Sequence, residues 1–413
     1  MDTALSTPES DTMTKALRAL SNRSWISLFI LLLYVLAVTV GAFSGGFWAS
    51  LGIGGALTLF LATGYYDKRL PEPQRNITVF IFGLLIVCAF LNLYSTQMKV
   101  SWLLLLKLVT ILVPLSLYSC PQILPRAMSP KLFIILPWAA VVGVLALSLE
   151  LALKGPLQMV LQGHIRLTEY NRGLSYIVVL TLPIIAGLWT LGRRWVILPF
   201  VLALLVATDL TDSRAAKLAL LLALATMVVA TYLPLFTRRL LALLPITFVL
   251  WPFVVREIFL NHRSWIERLP DSWQARMEIW DYMSYRILER PWLGWGLGSS
   301  RFLSFQVPHG SSYHFVTMPA SHPHNAIIQL WVELGLPGVA LGIFFILWVL
   351  QLAVRLGPKM APFALGTWTA GLCLSLVSYD LWTDSLLSAF ALAAFLLMIL
   401  QNHMSRSDAV RIV

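Results

Sequence analysis

Twelve long apolar runs dominate this chain, and no fold that buries one core in water can absorb them. They lie at about residues 25–43, 46–65, 77–95, 101–119, 132–152, 173–191, 195–209, 214–234, 240–256, 338–354, 361–378 and 385–401. The hydrocarbon layer of a bilayer takes about 20 apolar residues of helix, and most of these runs are close to that length. The run at 195–209 is the shortest. A transmembrane barrel would show short segments of alternating polarity instead. Composition agrees: 58% of the residues are hydrophobic and 12% are charged, against roughly 25% charged in soluble domains. The expected fold class is an all-α polytopic membrane protein of about twelve transmembrane helices.

The net charge is +11. In a soluble protein such a balance would raise nucleic acid as a partner, but here the first reading is topogenic. With both termini placed in the cytoplasm, sixteen basic and six acidic residues fall on the inner side. The outer side then holds fourteen basic and thirteen acidic residues. This is the positive-inside pattern, and no nucleic acid is expected as a partner. Residues 1–24 are polar and carry Lys15, Arg18 and Arg23. The run after them has the length of a full span, so no cleavable signal is expected. Cys88, Cys120 and Cys373 lie in or beside apolar runs, with no CxxC, so neither a disulfide framework nor a zinc site follows.

The expected organisation is a cytoplasmic tail at 1–24, nine spans within 25–256 and an outer loop at 257–325. A short re-entrant helix and three spans follow within 326–401, and a cytoplasmic tail at 402–413. Apart from Lys99 and Lys107, the outer basic residues gather at 154–172, 214–217 and 256–325. Within the long loop, SWQARMEIWDYMSYRILERPWLGW has amphipathic helical spacing, which predicts a helical cap at the outer surface. Its tryptophans read mostly as interfacial anchors, with one or two able to stack on sugar rings.

Chemistry-bearing residues concentrate on that same side. His324-Asn325 is followed after nine residues by Gly335-Leu336-Pro337-Gly338. The stretch from Asn325 to Leu334 makes about three helical turns, too short to span. Gly335 suits a helix C-cap and Pro337 the first turn of the next helix. His324 would open the short helix. It is either an interfacial loop residue or a general base, since an unperturbed imidazole titrates near 6.5. His322 stands two residues earlier and in extended chain would face the same side. His309 and His314 read as ordinary loop residues.

Arg214 and Lys217 open an apolar run in TDLTDSRAAKLALLLALA. Two cations at a helix N-terminus oppose the helix dipole and repel each other, which an anion bound there would relieve. The alternatives are snorkelling at the membrane edge or pairing with Asp209 or Asp212. Arg276 lies in the cap helix and is either an anion ligand or part of a salt-bridged face with Glu278 and Asp281. Arg166 and Arg172 flank the start of the sixth run, where Arg172 could face a cavity. Lys107 lies inside the fourth run, and an ionisable residue at such depth is a functional candidate unless it snorkels outward. Asp209, Asp212, Asp380 and Asp384 form no convincing carboxylate cluster for a divalent metal, so no metal or other cofactor is expected.

His324-Asn325-x9-Gly-x-x-Gly after a large outer loop resembles the O-antigen ligase family of Gram-negative inner membranes. Asp212-Ser213-Arg214-Ala215-Ala216 opening a span resembles it too, as does Arg276 with Trp280 and Arg290-Pro291-Trp292-Leu293-Gly294-Trp295-Gly296. The resemblance covers the twelve-span layout and roughly residues 170–345. It implies a membrane-embedded glycosyltransferase of the C type, metal- and ATP-independent. Such an enzyme moves O-antigen from undecaprenyl diphosphate to a sugar hydroxyl of lipid A–core in the periplasm, with no obligate protein partner. His324 matches the family's essential histidine, and Arg214 and Arg276 its essential arginines. Lys217 and Arg172 are added as diphosphate ligands. His322, Arg166, Asn325 and Lys107 stand as secondary candidates.

O-antigen polymerases of the same superfamily typically carry Arg-x10-Gly motifs in periplasmic loops. No arginine on the outer side here has a glycine at that spacing. Related protein O-oligosaccharyltransferases usually have an extra C-terminal region. A transporter or lipid-carrier flippase is the alternative from another class. Against it stand the short Gly192-Arg193-Arg194 turn at the chain's centre and the lack of paired, broken spans.

Overall fold

A computed structural model describes residues 43, 46–67, 70–120, 129–303 and 322–412. The side chains at 65–67, 129–136, 161–162 and 405–412 fall outside that description, as do the predicted first span and His309 and His314. Among the described residues every ordered element is helical. The first seven are α1 (Phe47–Asp67), α2 (Arg75–Asn92), α3 (Met98–Ser116), α4 (Ser129–Ala152), α5 (Pro156–Gln162), α6 (Leu167–Thr190) and α7 (Ile197–Leu210). Then come α8 (Arg214–Tyr232), α9 (Pro234–Ala242), α10 (Leu244–Asn261) and α11 (Asp271–Glu289). The chain ends with α12 (Ala326–Arg355), α13 (Ala361–Val377) and α14 (Asp384–Ile412). One-turn helices stand at Arg263–Ile266 and Ser300–Leu303.

Each apolar run within the described residues coincides with a helix. Among the described residues, eight helical segments are long and apolar enough to cross a bilayer: Phe47–Gly64, Arg75–Asn92, Met98–Ser119, Leu167–Thr190, Arg214–Tyr232, Pro234–Asn261, Ala326–Arg355 and Asp384–Met404. Pro137–Ala152 and Ala361–Val377 are shorter apolar helices. Helix α7 has 14 residues, about 21 Å at 1.5 Å per residue, which is less than a hydrocarbon layer. The protein is a multi-pass membrane protein, and its surface shows why. Val79, Phe82, Ile86 and Phe90 form an exposed stripe along α2, while Ile81, Leu85, Cys88 and Leu91 face inward. Such a stripe is costly in water and comfortable in lipid.

Helix α6 is the hub. Every residue from Gly173 to Leu188 is buried, as expected for a helix apolar all round. The Gly366 position of α13 faces both Leu182 of α6 and the Ala223 carbonyl of α8. Helices α8 and α13 run antiparallel. The start of α8 (Ala216, Ala219) packs in one cluster with the end of α13 (Cys373, Leu374). Its end (Ala230) packs with the start of α13 (Ala364, Leu365) in another. Arg214 and Val377 therefore lie at the same end of the bundle.

The predicted break after the short helix occurs at Gly335, with φ 61° and ψ −151° inside α12. Pro337 has no N–H, so the Glu333 carbonyl loses its helical donor. The loop after α11 fills that gap. Gly296 N–H donates to the Glu333 carbonyl (2.9 Å) and Trp295 N–H to the Val332 carbonyl (2.8 Å). Leu336 N–H turns instead to the Pro291 carbonyl (2.9 Å). This crossing is too close for side chains: a Cβ on Gly335 would lie 2.7 Å from Gly294 N.

Candidate active site

The bundle end that holds the C-terminus of α13 gathers four of the predicted site residues around two backbone carbonyls. Arg276 of α11 donates through Nε to the Val377 carbonyl (3.1 Å) and through Nη1 to the Ser272 carbonyl (2.7 Å). The next carbonyl, Ser378, receives His324 Nδ1 at 2.8 Å and His322 Nε2 at 3.2 Å. The two imidazoles lie 4.0 Å apart between centroids. Arg172, near the start of α6, is close enough for its charge to act on His322. Its own partner is Glu169, at 3.4 Å.

The local chain explains how His324 is aimed. Asn325, not His324, caps α12: its Oδ1 accepts from Ile327 N (2.9 Å) and Ile328 N (3.1 Å). That bond holds the chain in a tight entry turn with His324 at φ 55°, a left-handed conformation uncommon outside glycine, asparagine and aspartate. Trp280 of the cap helix supports the turn from behind by donating Nε1 to the Pro323 carbonyl (2.8 Å). Trp280 is thus a buried packing residue rather than an interfacial anchor, whereas Trp265 and Trp292 are exposed. The Oδ1 of Asn325 is thus committed to the cap.

A carbonyl oxygen only accepts, so the Nδ1 of His324 carries the hydrogen and Nε2 has a lone pair. That Nε2 makes no hydrogen bond to the described residues. Burial, then neighbouring His322, hold His324 down at about 4, with Arg276 acting the same way. His322 is also lowered, chiefly by burial. Both rings are therefore neutral near pH 7 and able to accept a proton. Burial also pulls the Arg276 guanidinium below its ordinary value, though an arginine stays charged throughout the working range.

The other predicted cations are placed differently. Arg214 pairs with Asp212 (3.3 Å) and Lys217 with Asp209 (2.6 Å), so the pairing alternative is realised. Ser213 holds the N-cap position of α8 without a side-chain capping bond. Arg214 has no direct contact with His324 or Arg276, although it stands at the same end of the bundle. The salt-bridged alternative for Arg276 does not form, because Asp281 faces Arg256 at 3.6 Å. Arg166 is the residue before α6, with its backbone N–H on Gln158 Oε1 (2.7 Å). Lys107 faces Asp384 at 3.6 Å.

Sequence reasoning missed the polar cluster behind the histidines. Glu333, fully buried in α12, accepts from Gly298 N (2.8 Å), Ser300 Oγ (2.6 Å), Trp382 Nε1 (2.7 Å) and Gln329 Nε2 (3.3 Å). Gln329 also donates to Asp380 Oδ1 (2.7 Å), and Arg301 donates to Asp380 Oδ2 (3.0 Å). The signal was present: Gln329 and Glu333 stand four apart on one helix face, and an ionisable residue in an apolar helix is a functional candidate.

Residues 199–343 match the family model described as O-antigen ligase. That stretch is similar to the O-antigen ligase family. It holds Arg214, Arg276, His322, His324 and Glu333, while Arg172 and the Ser378 turn lie outside it. The "Putative polysaccharide ligase" of Rickettsia typhi is 22% identical over 253 residues, 59% of this chain and 61% of that protein. Its Rickettsia conorii counterpart is 23% identical over 249 residues, 58% and 60% of the two chains. The Rickettsia bellii protein of the same description is 24% identical over 221 residues, 51% and 53%. The similarity thus spans about three-fifths or less of these relatives' length.

Proposed function

We propose that this protein is an O-antigen ligase, a twelve-span glycosyltransferase of the C type acting at the periplasmic face of the bacterial inner membrane. The donor is O-antigen on undecaprenyl diphosphate and the acceptor a sugar hydroxyl of lipid A–core. The observation that carries this reading is the pairing of a neutral imidazole, its Nε2 unengaged by the described residues, with a half-buried arginine one carbonyl away. A base beside a fixed cation suits a reaction that takes a proton from an alcohol and releases an anion.

In this mechanism the acceptor oxygen attacks the anomeric carbon as its proton passes to His324 Nε2. The bond between that carbon and the diphosphate oxygen breaks, and the electron pair leaves with the diphosphate. Arg276 neutralises the developing charge as a fixed donor. Arg172, Arg214 and Lys217 turn from their carboxylate partners to the remaining phosphate oxygens. The approaching dianion also raises the basicity of His324, which burial, His322 and Arg276 keep low. Direct displacement inverts the configuration at the anomeric carbon.

The test is complementation of a deletion strain. Wild-type protein should restore capped lipopolysaccharide. His324→Asn should not, and full-length lipid-linked polymer should accumulate. Asparagine tolerates the left-handed backbone at this position, so the loss would report chemistry rather than folding. Restored capping by that variant would rule out the general base. Lipid-linked single repeats in the deletion strain would mean a polymerase instead.

A further inference from the structure

The imidazole pair is surrounded by charges from several elements, and they do not act in one direction. Arg276 of α11 and Arg172 of α6 oppose a proton on the rings, and each ring opposes one on the other. Glu169 pairs with Arg172 and tempers it. Asp384, at the start of α14, is engaged by Lys107. Glu333 is held behind the site by four donors. That leaves Asp380, in the turn after Ser378, as the carboxylate that favours a proton on both rings.

Asp380 is itself tightly held. Gln329 Nε2 (2.7 Å) and Trp382 N (2.9 Å) donate to Oδ1, and Arg301 Nη2 (3.0 Å) donates to Oδ2. Arg301 comes from the one-turn helix that also supplies Ser300 to Glu333. Its side chain is 43% exposed while that of Asp380 is 13% exposed, so the pair joins the surface to the interior. We propose that Arg301 is a positioning residue for the reaction: by neutralising Asp380 it keeps His324 an unprotonated base. The inference rests on the ligase reading above, in which His324 takes the acceptor's proton.

Removing Arg301 leaves Asp380 charged and uncompensated, which makes the imidazoles more basic. A base must be unprotonated to act, so a more basic imidazole is lost at a higher pH as the solution is acidified. The experiment measures kcat/KM against pH for the purified full chain in detergent, with lipid-linked polymer and lipid A–core as substrates. Arg301→Gln should move the acidic limb of the profile to higher pH, with activity above the limb within about threefold of wild type. Arg301→Lys, which keeps the charge, should return the limb to its wild-type place. A purely structural role for Arg301 would lower activity at all pH values without moving the limb. That result, or a limb moved to lower pH, would overturn the proposal. The two readings fail separately: a wild-type chain without transfer, or an active His324→Asn, removes the ligase reading. An unmoved limb in an active, His324-dependent enzyme removes only the role of Arg301.

Discussion

At the scale of single residues, His324 couples the site's chemistry to the protein's stability. Its folded value of about 4 lies below the ordinary 6.5 of an unfolded histidine. Between these values the unfolded chain binds the proton more readily, so acid favours unfolding. The stability from keeping this ring neutral is fully present above about pH 6.5 and is lost as the pH falls through about 4, with a ceiling of about 3 kcal/mol. Thermal midpoints of the purified protein should therefore drop between pH 7 and pH 4.5, and drop less in His324→Asn. Equal drops would show that the ring is not held neutral by burial. The histidine itself was legible in the sequence because of its spacing to Gly335 and Gly338. Its partner was not: Ser378 lies 54 positions away, and a backbone carbonyl leaves no mark in sequence. Asp380 and Glu333 went unpaired for the same reason, since their donors come from three separate segments.

At the scale of elements, the break in α12 was legible and its consequence was not. Gly335 and Pro337 predict a helix end and a new start, and the structure has its break there. What the spacing could not reveal is that the loop from Pro291 to Gly296 supplies the missing hydrogen bonds at the break. That crossing makes Gly335 a sharp test. Its φ and ψ belong to a region open essentially to glycine alone, and a Cβ would meet the Trp292 carbonyl at 2.7 Å. Gly335→Ala should cost roughly 3 kcal/mol or more from strain and overlap together. Gly357 also has a positive φ, of 79°, but nothing within 4 Å of a Cβ. Gly357→Ala should cost about 1 kcal/mol. Yield and thermal midpoint in detergent separate the two, and similar behaviour would refute the tight crossing.

At the scale of the whole molecule, the structure sorts charge by end. Ala186, Ala230, Leu241, Ala353 and Met360 pack in one cluster. Beside them in the chain stand Arg193 and Arg194, Arg238 and Arg239, and Arg355 and Lys359, with no acidic residue between. The opposite end carries the histidines and arginines of the site together with Glu169, Asp209, Asp212 and Asp380. Cytoplasmic ends of membrane proteins collect lysine and arginine, so the basic end should face the cytoplasm and the site the periplasm. Cysteine labelling reads this directly, because Cys88, Cys120 and Cys373 are all buried and give little background. Arg193 and Glu267 are exposed at the two ends. A membrane-impermeant maleimide should label Glu267→Cys in intact spheroplasts and Arg193→Cys only after lysis. The reverse pattern would put the imidazole pair on the cytoplasmic side. It could then meet no periplasmic acceptor, and the ligase mechanism would fail whatever the geometry of the site.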